Sequence, residues 1–127
     1  MSYYFSKTLD LSFEDAIAHV TAELKKEGFG VLTEIDVSGT LKKKIDVDFR
    51  PYTILGACNP NYAYQALQSE SHIGTMLPCN VIVQATEGGT EVAAVDPIAS
   101  MSSIENPQLV EVAQQVQGLL RKVIDSL

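Results

Sequence analysis

Basic residues are scarce in this chain: nine lysines and arginines against sixteen aspartates and glutamates leave a net charge of −7 over 127 residues. A protein that holds nucleic acid through its phosphates needs the opposite balance, so no nucleic-acid partner is expected. Cysteine is scarcer still, and two thiols in a chain this long are too few for a disulfide framework. No apolar run approaches the ~18–20 residues that span a bilayer, and the opening MSYYFSKTLDLSFED has neither a basic n-region nor an apolar h-region. A cytoplasmic protein with no membrane partner is the expectation. Also absent are a Gly-rich phosphate loop, a Gly-x-Ser-x-Gly elbow and a His-Glu-x-x-His pair. The balance is therefore against an enzyme, and no cofactor is expected.

What is present is ordinary for one domain, residues 1–127, with 46% hydrophobic and 20% charged residues and a core that needs no staples. Residues 2–8 are aromatic and β-branched and run into Ser12-x-x-Asp15, a capping-box pattern, after which Phe13, Ala16, Ile17, Val20 and Leu24 recur at helical spacing up to Gly28. Phe29, Val31, Thr33, Ile35 and Val37 alternate with Gly30, Leu32, Glu34 and Asp36, which predicts a half-buried strand. Ser38 to Phe49 reads as a short helix and an irregular link. Tyr52 to Cys58 predicts a buried strand closed by Asn59-Pro60, with a helix opening at Pro60. Cys79–Thr86 and Thr90–Val95 flank Glu87-Gly88-Gly89, a hairpin that Asp96-Pro97 ends. Asn106-Pro107 opens a last helix whose broad face carries Leu109, Val112, Ala113, Val116, Leu119, Leu120, Val123, Ile124 and Leu127. The class is α+β, one antiparallel sheet with helices on one face, in a β-α-β(4)-α layout, or one strand fewer if Ser38–Phe49 contributes none.

Two segments, Gly56-Ala57-Cys58-Asn59-Pro60 and Leu77-Pro78-Cys79-Asn80, together with the later Asp96-Pro97, resemble the prokaryotic family known as domain of unknown function 302, and the likeness spans nearly the whole chain. The resemblance implies a fold similar to the TATA-binding-protein class, pairing as homodimers, and no established activity. It implies nothing about DNA, since fold does not carry function and this chain is acidic.

The candidate site follows from the strands. If those ending at Cys58 and starting at Cys79 are antiparallel neighbours, the two Cys-Asn pairs meet at one sheet edge. Cys58, Asn59, Cys79, Asn80 and Asp96 are then the candidate ligand-binding residues. With His72, and Met76 near it, the thiols would suit a soft metal. Twenty residues separate the cysteines and no Cys-x-x-Cys occurs, so two small buried hydrophobes is the plainer reading. The expected function is a non-catalytic small-ligand or interaction domain with a pocket near Gly56–Pro60 and Pro78–Asn80. The alternative is a thiol-dependent redox or soft-metal protein using Cys58 and Cys79. A third reading, acid–base chemistry by Asp96 and His72, has only residue types in its favour.

Overall fold

The computed structural model describes residues 2–127. Five strands form one antiparallel sheet: β1 (Tyr4–Leu9), β2 (Gly30–Asp36), β3 (Tyr52–Cys58), β4 (Cys79–Thr86) and β5 (Gly89–Val95), in the spatial order β1-β5-β4-β3-β2. Helix α1 (Phe13–Lys26) joins β1 to β2, α2 (Val37–Ile45) joins β2 to β3, and α3 (Pro60–Ser69) with a 3₁₀ turn (Ser71–Met76) joins β3 to β4. A short α4 (Pro97–Ser100) and the long α5 (Pro107–Asp125) close the chain. Four strands follow α1, which is the β-α-β(4)-α layout, and they do so without a strand from Ser38–Phe49, so the count of one strand fewer tied to that segment does not hold.

The ends of α1 follow from its sequence. Ser12 Oγ accepts from Asp15 N at 3.1 Å, and past Lys26 the Gly28 and Phe29 amides donate to Lys25 O and Leu24 O at 3.1 and 3.0 Å, the doubly bonded stop that a glycine in this position allows. Leu24 and Phe29, both buried, are thereby brought under the sheet. Ala16 and Val20 of α1 and Leu109, Leu120 and Val123 of α5 pack with Leu55, Val81, Val83 and Val92 of the central strands, which is the core. One face of the sheet is thus covered by α1 and α5, and α3 and α4 pack on α5.

In the hairpin, Thr86 pairs with Gly89 and Val81 with Ala94, so the return strand starts at Gly89, one residue earlier than the sequence suggests. Strand β2 departs further. Val31 pairs with Ala57 and Thr33 with Gly56, leaving Leu32 as an extra residue in a bulge. Past it the alternation changes face: Val31 lies on the core side, while Thr33 and Ile35 lie opposite Gly56 and Ile54 on the other side.

Candidate functional site

The register brings part of the expected corner together. Ala57 pairs with Cys79 and Gly30 with Cys58, so the end of β3 and the start of β4 are neighbours. Pro60 opens α3, but Asn59 does not cap it through its side chain; its Nδ2 instead donates to Glu27 O at 3.3 Å and ties the end of α1 to this corner. Cys58, Asn59 and Cys79 line one small cavity with Phe29, Tyr62 and Met101. Its volume is about 30 Å³ and its lining is almost wholly apolar. A water needs roughly 10–15 Å³ measured this way and ordinary ligand sites run to ~300 Å³ or more, so the closed corner takes a water or two. Both thiols are free. Burial, and after it the nearby Cys58 thiol, pushes the buried Cys79 from 9.0 up to about 11, which keeps it a neutral, weakly nucleophilic thiol near pH 7.

Gly56 is needed at this edge for close approach. A Cβ there would lie 2.1 Å from Thr33 Oγ1 and 2.8 Å from Pro78 Cγ, so a glycine lets those two side chains close over the strand.

The remaining candidates lie elsewhere. Asn80 follows Cys79 on the same strand and so faces the opposite side of the sheet. Asp96 caps α4: its Oδ1 accepts from Ile98 N at 3.0 Å and from Gln117 Nε2 at 3.1 Å, which fastens α4 to α5. His72 is 90% exposed on the 3₁₀ turn, with Nδ1 3.5 Å from Glu70 Oε2. Among the described residues no three His, Cys, Asp or Glu side chains are grouped to hold a metal ion, so Cys58, Cys79 and His72 are not assembled into one ligand set. Asp96 bonds Ile98 and Gln117 and His72 stands beside Glu70, so no hydrogen bond joins Asp96 to His72.

The roomiest concavity that bears on the candidates was not read from the sequence. On the sheet face that α1 and α5 leave uncovered, a trough of about 400 Å³ runs over β5 and β4, lined by Tyr3, Tyr4, Tyr52, Asn80, Ile82, Gln84, Glu91, Ala93 and Val95. Arg50 Nε donates to Gln84 Oε1 at 2.8 Å, and Gln84 Nε2 donates to Glu91 Oε1 at 2.7 Å. The Arg50 guanidinium also sits 4.4 Å from the Phe49 ring centroid and 5.7 Å from that of Tyr52. The signal was available: Ile82 and Ala93 are apolar on the parity that a one-sided sheet gives to water.

A five-stranded antiparallel sheet with helices on one face, closed by a long amphipathic helix, places the molecule in the α+β class. The chain matches the family "Domain of unknown function DUF302" over residues 5–127, and it belongs to that family. Its fold is similar to the crystal structure of an uncharacterised conserved DUF302 protein from Bacillus stearothermophilus, with a TM-score of 0.91, 28% identity, and 98% of each chain covered. Among curated proteins none matches it.

Proposed function

We propose that this chain is a non-catalytic binding module that works as a homodimer, with a second copy packed on the flank formed by β2 and α2. The observation that carries the reading is α2 itself, which buries none of its residues. A nine-residue helix is not stable in water alone, and packing of an apolar face is what ordinarily holds one. Leu32, Ile35, Ile45, Val47 and Phe49 all fall in this stretch and are all exposed, five of the twelve large hydrophobics exposed among the described residues. Lys42, Lys43 and Lys44 stand beside Asp46 and Asp48, so the flank carries both charges, and a two-fold interface presents it to itself. The family resemblance supports pairing independently.

Light scattering after gel filtration at micromolar protein is expected to give about twice 13.8 kDa. Ile45→Asp with Val47→Asp is expected to give the monomer mass with unchanged circular dichroism. A monomeric wild-type chain would contradict the reading.

The thiol reading has one observation in its favour, that Cys58 and Cys79 line the same cavity. The neutral state of the buried thiol favours two packed side chains instead.

A further inference from the structure

We propose that the trough over β5 and β4 is a binding site for an organic cation, an amine or quaternary ammonium carried on a flat apolar body. Of the five tyrosines in the chain, Tyr3, Tyr4 and Tyr52 line this one concavity. Aromatic faces around a cation attract it through their quadrupoles, and more strongly where water is partly excluded. Tyr3 and Tyr4 are held edge to face, with centroids 5.1 Å apart, and Arg50 beside Tyr52 shows that the ring already attracts a guanidinium. The trough's floor is apolar, with Ile82, Ala93 and Val95.

One charged side chain lines the trough, and it is negative. Glu91 is half-buried, and the hydrogen bond from Gln84 reaches its Oε1. Arg50, the nearby basic group, donates to Gln84, whose side chain stands between them. A cation over Glu91 gains a charge-assisted contact, and the net charge of −7 favours its approach. At about 400 Å³ the trough lies within the range of ordinary small-molecule sites. Its Tyr52 end adjoins the β2–α2 flank, the ring lying 6.1 Å from that of Phe49, whereas Tyr4 and Glu91 stand on β1 and β5 at the far side of the sheet, so the charged end of the site does not depend on pairing.

The chain has no tryptophan, so its intrinsic fluorescence comes from five tyrosines, three of which line the trough. Benzyltrimethylammonium is the probe, with neopentylbenzene as its neutral isostere and benzoate as the anion. The cation is expected to bind with saturation below ~10 mM, the neutral isostere at least tenfold more weakly, and benzoate not at all. Glu91→Gln keeps an acceptor for Gln84 and removes the charge; it is expected to weaken the cation about tenfold without altering thermal unfolding. The Ile45→Asp, Val47→Asp variant is expected to bind it as the wild type does. Equal binding of cation and isostere, no binding of the cation, no effect of Glu91→Gln, or loss of binding in the Ile45→Asp, Val47→Asp variant would each overturn the proposal. Light scattering on the same samples reports pairing separately, so failure here leaves the homodimer reading standing.

Discussion

At the scale of single residues, Cys79 and Gly56 show how an ordinary side chain becomes expensive to change. Folding hides the Cys79 thiol, which holds its proton up to about 11 where an exposed one releases it near 9.0. Between those values the unfolded chain loses a proton that the folded chain keeps. The stability this group contributes is therefore whole below pH 9 and is lost as pH rises toward 11, by at most about 3 kcal/mol. Urea unfolding of wild type and Cys79→Ala at pH 8 and pH 11 isolates the effect: the wild type should fall further, and parallel losses would refute it. Gly56→Ala should cost ~1–3 kcal/mol because the new methyl meets Thr33 and Pro78, and adding Thr33→Ala should recover part of that loss in the same unfolding measurement. The sequence brought Cys58 and Cys79 together only on the condition that their strands pair, since one ends a strand and the other starts the next. It could not show that Asn80 points away, since that depends on which strand face meets the helices. Nor could it show that Asp96 spends its Oδ1 on Ile98 and Gln117.

At the scale of elements, α5 was the most legible. Its face of Leu109, Val112, Ala113, Val116, Leu120, Val123 and Ile124 is buried as its spacing predicts, with Leu119 partly so. Leu120→Ala should destabilise the chain by ~2–5 kcal/mol and Gln115→Ala should be nearly silent; similar losses at both sites in chemical denaturation would mean that the helix is turned differently. Strand β2 was only half legible. An alternation running Phe29, Val31, Thr33, Ile35, Val37 places all five odd positions on one face, and a bulge at Leu32 leaves that pattern untouched while moving Ile35 to the other side. Helix α2 was legible as a helix and not as an orphan: Leu41 and Ile45, four apart, suggest a buried stripe, yet Leu41 is half-buried and Ile45 is 63% exposed.

At the scale of the whole molecule, the sheet is built with one face finished and one not. Helices α1 and α5 supply the cover for Leu55, Val81, Val83 and Val92, while Ile54, Ile82 and Tyr52 on the reverse remain half-buried with no helix over them. Composition and periodicity made the α+β class readable because apolar residues recur every second position along a half-buried strand and every three to four along a helix. The uncovered face escaped them because Ile54 and Ile82 read equally well as core. Five exposed hydrophobics along β2, α2 and the entry to β3 make the same point at the flank, the surface proposed to meet a second copy.

Hydrogen–deuterium exchange along α2 tests that claim most directly, since a nine-residue helix with no fully buried residue draws little protection from its own chain and a partner would add most of it. The amides of Thr40 to Ile45 should exchange slowly at high protein concentration and become fast on dilution or in the Ile45→Asp, Val47→Asp variant, while those of α5 stay slow throughout. Equal protection of α2 in the dilute chain, the concentrated chain and the variant would contradict the account.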